Sequence, residues 1–180
     1  MILFHLVHVR LAPGSVILPG NYGRLIRRIG WQHSNALREA VLENVRAAAF
    51  PDRPSRLSCV FCLPSEDSAR VFQAENDGFP HHVLHRVRVV AGLGSGRVPV
   101  HRTDWRWVNP AATAGEVPGT VWAERYWRGL HEPPAHGLEL EDARGAVAPV
   151  ATEEREMRAD ERCEVLVGGP VAVEECLDLG

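Results

Sequence analysis

The stretch that decides the fold lies near the C-terminus and reads Arg162-Cys163-Glu164-Val165-Leu166-Val167-Gly168-Gly169-Pro170-Val171-Ala172-Val173. Its composition predicts two short strands, residues 163–167 and 171–176, joined by a Gly-Gly-Pro turn. Alternate side chains of a strand share a face, so Glu164 lies with Leu166 and opposite Val165. A carboxylate in an apolar strand requires a partner or water. Glu164 is therefore either a solvent-facing residue of an edge strand or a functional carboxylate held on rigid backbone beside a cleft.

Length and composition predict one globular domain, residues 1–180. A chain of 180 residues buries about 70% of its unfolded surface. Its 45% hydrophobic and 24% charged content is ordinary for a soluble protein. The apolar start, Met1 to Val9, is short and contains His5 and His8. It therefore predicts a first strand, neither a signal peptide nor a membrane span, and a cytoplasmic protein is the default expectation.

All 20 basic residues are arginine. The absence of lysine excludes Schiff-base chemistry and a P-loop lysine. Arginine is concentrated in the front half, with seven against three acids in residues 24–56 and five against one in 81–107. Residues 132–180 hold thirteen acids against four arginines. The basic segments suit phosphate on a nucleotide or a nucleic acid, although solvated helix faces would give the same charge pattern.

The four cysteines are interpreted as buried, reduced thiols rather than as a metal site. Cys59 and Cys62 have the spacing of half a zinc site. However, they lie in an apolar, strand-like segment from Leu57 to Leu63, which places the two side chains on opposite faces. The remaining pair, Cys163 and Cys176, lacks the close spacing of a zinc knuckle. No metal is expected.

Periodicity predicts the other elements. A helix is expected from Trp31 to Ala49, with Ser34 as its N-cap. Short helices are expected over 66–73 and about 120–130, with an additional helix near 153–157 in a long loop over 132–160. Strands are expected over 2–9, 57–63, 82–90 and 98–101, and the glycines at 92, 94 and 96 predict a hairpin turn rather than a dinucleotide fingerprint.

Three features occur in a suggestive order along the chain. Leu3-Phe4-His5 places a histidine in the opening strand. Phe61 and Phe72 are separated by ten residues, one in a strand and the other on the following helix. Glu164 then begins a late strand. With these motifs in this order, the chain resembles ADP-ribosyltransferases of the His–aromatic–Glu class, which include diphtheria-type toxins, poly-ADP-ribose polymerases and DarT-like toxins. It also resembles a small bacterial family of unknown function grouped with them.

The resemblance implies an α+β fold in which two small, splayed antiparallel or mixed sheets surround an NAD cleft with flanking helices. It implies NAD as the substrate and Glu164 as the catalytic residue, accepting a hydrogen bond from the nicotinamide-ribose 2′-hydroxyl. His5 would bind the adenosine ribose, with His8 as the second candidate. Phe61 and Phe72 would sandwich the nicotinamide.

Further roles come from the residues around these motifs. We expect some of Arg10, Arg27 and Arg28 to face the cleft and bind the pyrophosphate bidentately. Tyr126, on the late helix, could serve the cleft or the helix core. A fixed carboxylate stabilises the positive sugar that forms as nicotinamide leaves, and aromatic faces hold the planar nicotinamide.

The chain departs from the family pattern at two points. Both ring positions are phenylalanine where tyrosine is usual, so stacking survives but hydroxyl hydrogen bonds do not. Arg162 stands where arginine-modifying relatives carry a second Glu or Gln, which argues against protein arginine as the acceptor.

The acceptor is therefore open between nucleic acid, protein, a small molecule and water. A toxin or defence effector with a cognate antitoxin would fit the resemblance. The alternative functions are a catalytically inactive nucleotide- or nucleic-acid-binding module on the same fold, and a basic nucleic-acid-binding protein.

Overall fold

The computed structural model describes residues 1–76, 82–90, 97–108, 119–129 and 162–177, and the backbone of two short strands at 140–141 and 147–148. The strands are β1 Ile2–Val7, β2 Val16–Ile17, β3 Val60–Cys62, β4 Val83–Val89, β5 Val100–Asp104, β6 Leu140–Glu141, β7 Val147–Ala148, β8 Cys163–Val167 and β9 Val171–Leu177. The α-helices are α1 Asn21–Ile29, α2 Ala36–Ala49, α3 Glu66–Glu75 and α4 Gly119–Arg128, and 3-10 turns form at Gly30–Gln32, Arg56–Ser58 and Trp105–Trp107.

The two strands of the C-terminal stretch belong to different sheets. Strand β8 is the centre of a three-stranded sheet, β3-β8-β5, whereas β9 lies inside a four-stranded sheet, β1-β4-β9-β2. Every described pairing in these sheets is antiparallel. The turn between them packs closely against the chain before β5, because a Cβ on Gly168 would lie 2.7 Å from Pro99. The chain is therefore an α+β protein in which one Gly-Gly-Pro segment links two antiparallel sheets.

Alternation along β8 separates two hydrophobic cores. Val165 and Val167 pack with Val171 and Val173 of β9 in a core between the two sheets. Leu166 packs with Leu42 of α2 and Trp127 of α4 on the other face of the small sheet. All five residues of β8 are buried. The predicted division of faces is confirmed, and the interpretation of β8 as an edge strand is wrong, because both of its edges are paired.

The two sheets also meet at one edge. Phe4 of β1 and Leu63, just after β3, exchange backbone hydrogen bonds of 2.9 and 2.7 Å. This isolated bridge places β1 beside β3, and β3 in turn pairs with β8. As a result, the strands that carry His5, Phe61 and Glu164 are consecutive neighbours across the structure.

Several element boundaries differ from those predicted. Helix α1 was not expected, and α2 begins at Ala36 rather than Trp31, because Gly30, at a φ of 65°, ends α1 and a 3-10 turn follows. Strand β3 is shorter than predicted because residues 56–58 form a 3-10 turn, which Ser55 caps by accepting a hydrogen bond from the Leu57 amide. The predicted glycine turn over 92–96 and the helix near 153–157 lie outside the described residues.

Helix α1 packs against the 3-10 turn at residues 56–58 with no room for a side chain at Gly23. A Cβ on Gly23 would lie 1.9 Å from the carbonyl oxygen of Leu57. Any larger residue would force the two segments apart. This contact fixes the turn that carries Arg56, which is central to the site described below.

Candidate functional site

Glu164 is buried, with only 5% of its surface exposed. Its Oε1 accepts hydrogen bonds from the Arg56 Nη1 group, at 2.5 Å, and from the Tyr126 hydroxyl, at 2.7 Å. Among the described residues, no donor reaches Oε2. The solvent-facing alternative for Glu164 is therefore wrong, and the carboxylate is anchored through its Oε1 atom.

Arg56 connects two buried carboxylates. Its Nε donates to Glu39 Oε2 at 2.9 Å, and its Nη1 donates to Glu164 and, at 2.6 Å, to the Tyr126 hydroxyl. Burial alone would lower the pKa of Arg56, but the opposing charges of Glu164 and Glu39 outweigh it and raise that pKa well above its ordinary value. The guanidinium is therefore permanently charged, and its planar fork reaches partners that a lysine could not bridge.

Glu39, on α2, is the second carboxylate of the cluster. Its Oε1 accepts a hydrogen bond from the Tyr22 hydroxyl at 3.1 Å and from Arg38 Nη2 at 3.3 Å. Burial raises the pKa of Glu39, but Arg56, with help from Arg38, outweighs burial and lowers it. Two arginines thus balance two carboxylates, which is the condition under which buried charges are tolerated.

Phe61 lies against this cluster. The Arg56 guanidinium carbon is 4.7 Å from the centre of the Phe61 ring, and Tyr22 meets the same ring edge-on at 5.4 Å. Phe61 pairs with Leu166 across β3 and β8. The aromatic ring therefore shares a face of the small sheet with Glu164, on the side of the helices.

His5 is held at the backbone of Phe61. Its Nδ1 lies 2.7 Å from the Phe61 carbonyl oxygen, and because a carbonyl oxygen only accepts, Nδ1 carries the proton. Burial lowers the pKa of His5, the Phe61 carbonyl raises it in part, and His85 and His82 lower it further. The ring is therefore neutral near pH 7, and its Nε2 is a hydrogen-bond acceptor.

The remaining candidate residues lie elsewhere. Phe72 packs edge-on against Trp105 at 5.0 Å, in a separate hydrophobic cluster with Leu63. His8 is exposed, and its ring lies 3.7 Å from that of His82 between centroids, tilted by 45°. Three expected phosphate ligands are exposed, two of them in the last turn of α1 and one beyond the end of β1: Arg27, Arg28 and Arg10. Among the candidates, Phe61, Tyr126 and Glu164 therefore meet around Arg56, and His5 contacts the backbone of Phe61.

The sequence did not identify Arg56, Glu39 or Tyr22 as members of the site. Glu39 is an acidic residue at a buried position of α2. Arg56 ends a Pro-Ser-Arg segment that precedes an apolar strand. The partners are far apart in the chain, since the residue numbers of Arg56 and Glu164 differ by 108. The sequence shows that charged residues lie in or beside these apolar segments. It does not show which charged residue pairs with which.

Strand β5 holds α4, and with it Tyr126, in place. The Tyr126 carbonyl oxygen accepts hydrogen bonds from Thr103 Oγ1 at 2.7 Å and from His101 Nε2 at 3.1 Å. The His101 ring also stacks on Trp127, with centroids 5.4 Å apart. Burial lowers the pKa of His101 to about 4. His101 is therefore neutral in the folded protein at all but acidic pH.

This shift predicts acid-sensitive stability. The unfolded chain binds a proton at His101 near pH 6.5, whereas the folded protein binds it near pH 4, so stability falls as pH drops through this window. We expect His101 to contribute about 3 kcal/mol of this loss between pH 7 and 4. In H101Q, which keeps a donor, urea unfolding at several pH values will show a shallower pH dependence. The exposed variant H8Q serves as the control, and an H101Q curve parallel to that of the wild type would contradict the assignment.

The cysteines are free, and three are buried. Cys59 packs in the helix-side core and Cys62 in the core between the sheets, on opposite faces as expected. Burial raises the pKa of both thiols, which keeps them protonated and unreactive.

Within the described ranges, no three His, Cys, Asp or Glu side chains are grouped so that they could hold a metal ion. No helix in that part of the chain is long and apolar enough to cross a membrane.

Fold and site together define an α+β protein built around a buried arginine that joins two carboxylates. The chain belongs to a family described as a protein of unknown function (DUF2441), whose profile matches residues 17–140. The match includes α1 to α4 and the residues Glu39, Arg56, Phe61 and Tyr126, whereas His5 and Glu164 lie outside it. None of the curated proteins matches the chain.

Proposed function

We propose that this protein is an NAD-consuming ADP-ribosyltransferase in which Glu164 is the catalytic residue. The single observation that carries the proposal is the state of the Glu164 carboxylate. One oxygen is fixed by Arg56 and Tyr126, and the other receives no hydrogen bond from the described residues. A preorganised carboxylate with one open oxygen suits a reaction that develops positive charge on a sugar.

The proposed chemistry breaks the bond between nicotinamide and ribose. The nicotinamide nitrogen takes the bonding electron pair, and the ribose carbon becomes positively charged before a nucleophile attacks it. The open Oε2 of Glu164 accepts a hydrogen bond from the ribose 2′-hydroxyl and stabilises that charge. Arg56 and Tyr126 keep the carboxylate in one orientation, so little reorganisation is required when the bond breaks.

His5 and Phe61 complete the proposed NAD site. Because His5 Nδ1 is committed to the Phe61 carbonyl, its Nε2 accepts a hydrogen bond from a ribose hydroxyl. The nicotinamide stacks on the face of Phe61 that Arg56 does not cover. The second proposed ring, Phe72, packs in the separate cluster with Trp105, and Arg10, Arg27 and Arg28 remain the proposed pyrophosphate ligands. The acceptor would be a nucleic acid, a protein, a small molecule or water.

A second candidate function is favoured by the burial of Glu164. Its side chain is only 7% exposed and is already paired with Arg56. A carboxylate so well neutralised can be purely structural. In that case the fold would be a non-catalytic module that binds a nucleotide or a nucleic acid.

Nicotinamide release distinguishes the two functions. The purified protein is incubated with NAD, and free nicotinamide is measured by chromatography, with and without DNA, RNA and protein acceptors. The transferase proposal expects nicotinamide to form and to depend on Glu164. Tight NAD binding without nicotinamide would favour the non-catalytic module, and the absence of both would overturn the NAD-site assignment.

A further inference from the structure

A large cavity opens at the end of the small sheet away from Glu164. It has a volume of about 1340 Å³ and lies between the C-terminal ends of α2 and α4 and the start of β5. Val100 at this end of β5 pairs with Val167, whereas Glu164 pairs with Thr103. Three residues of strand separate these two positions by roughly 10 Å. Arg102, which also lines the cavity, pairs with Val165, and its side chain lies on the opposite face of the small sheet from Glu164. The cavity is therefore distinct from the Glu164 site.

The described walls of this cavity are strongly basic. Four arginines line it against a single carboxylate, that of Asp52, and they are Arg53, Arg97, Arg102 and Arg128. Arg128 is also paired with Glu124, at 3.8 Å. Like charges around one cavity repel each other unless an anion or water separates them. Of these four arginines, Arg97 and Arg102 form no ion pair with a described carboxylate, so the described side chains leave positive charge at the cavity.

Two of the arginines that line the cavity are Arg97 and Arg102. In the described ranges neither has a carboxylate partner, whereas Arg56, Arg88 and Arg106, for example, are paired. The Nε of Arg102 is buried and has no hydrogen-bond partner among the described residues. A buried guanidinium donor without an acceptor is costly, and an anion in the cavity would supply one.

The helix ends at the cavity do not account for all of this charge. The C-termini of α2 and α4 carry partial negative charge, which an arginine such as Arg128 offsets. Arg97 and Arg102 belong to neither helix: Arg97 lies just before β5, and Arg102 lies within it. Burial and, to a lesser degree, the charge of Arg53 lower the pKa of the neighbouring His101, which agrees with a positive potential in this region.

We propose that this cavity is a phosphate-binding site, with Arg97 and Arg102 as its principal ligands. Guanidinium groups match phosphate oxygens bidentately, and the volume accommodates a pyrophosphate group together with the molecule that bears it. The phosphate belongs either to a small molecule or to the backbone of a nucleic acid. The proposal holds whether or not the protein cleaves NAD, because it rests on groups that do not contact Glu164.

The probes are inorganic pyrophosphate, titrated calorimetrically at about 50 mM salt, and a fluorescent single-stranded oligonucleotide, titrated at several salt concentrations from about 50 mM upward. We expect wild type to bind pyrophosphate and R97Q/R102Q to bind it at least about tenfold more weakly. The control, R70Q, removes an exposed arginine on α3 that pairs with Glu66 and should bind as wild type does. Because Arg102 lies in a strand, R97Q alone is measured as well, with thermal melts of every variant.

The oligonucleotide distinguishes the source of the phosphate. If it displaces pyrophosphate, and R97Q/R102Q lowers the salt slope of its binding by about 1.4, the ligand is a nucleic acid. If pyrophosphate binds and the oligonucleotide does not compete, the ligand is a small molecule. Absence of pyrophosphate binding by wild type, or unchanged binding by folded R97Q and R97Q/R102Q, overturns the proposal. E164Q should retain wild-type pyrophosphate affinity, which separates this site from the proposed catalytic function.

Discussion

E164Q should lower the rate of nicotinamide release by on the order of 10²–10³. The structure gives two reasons for a loss of this size. The amide oxygen must replace Oε1, because Arg56 and Tyr126 both donate hydrogen bonds to that atom. The amide NH₂ group then occupies the position of Oε2, where it donates a hydrogen bond instead of accepting one from a ribose hydroxyl. The negative charge that would stabilise the sugar is lost at the same time.

The same change will also weaken the fold, since Glu164 is part of a buried ion pair. The amide retains its hydrogen bonds but lacks charge, so we expect a destabilisation of about 1–3 kcal/mol. Turnover must therefore be measured well below the midpoint of thermal unfolding, with NAD affinity recorded separately. E174Q is the matched control, because Glu174 lies on β9 and pairs with the partly exposed Arg86 and Arg88. Full turnover by folded E164Q would disprove a catalytic role for Glu164.

R56M should be the most destabilising single substitution in the site. Arg56 is the only residue described as bonding to both Glu39 and Glu164. Without it, two buried carboxylates lose their shared cation, and breaking a buried pair in this way costs about 3–5 kcal/mol. Because whole domains are stable by about 5–15 kcal/mol, the variant should be largely unfolded or strongly shifted in urea denaturation.

Two further variants test the cause of this loss. Removing the charges together, in the triple variant E39Q, R56M and E164Q, should recover part of the stability, because neither buried carboxylate is then left without its cation. R70M, which breaks the exposed pair between Arg70 and Glu66, should cost less than about 1 kcal/mol. If R56M unfolds within 1 kcal/mol or so of the wild type, the cluster contributes little to the fold.

Much of the secondary structure could be predicted from local pattern. The strand at 163–167 was predicted in full, and α3 and α4 were predicted to within a few residues. Local hydrophobic periodicity predicts these elements, and at the start of α3 the Ser65 hydroxyl accepts a hydrogen bond from the Ser68 amide. Helix α1 was missed because its two buried residues, Gly23 and Ile26, give no clear apolar stripe. Its position depends on the close approach of Gly23 to Leu57.

The sequence by itself also determined the division of faces along β8, because side chains in a strand alternate. It could not determine what covers each face. The tertiary structure alone decided that β8 and β9 enter different sheets, that β8 is paired on both edges, and that Glu164 is buried rather than solvated. The reason is physical: Arg56, Glu39 and Tyr126 lie on three separate elements, and only the packing of these elements brings their charges and hydroxyl to one carboxylate.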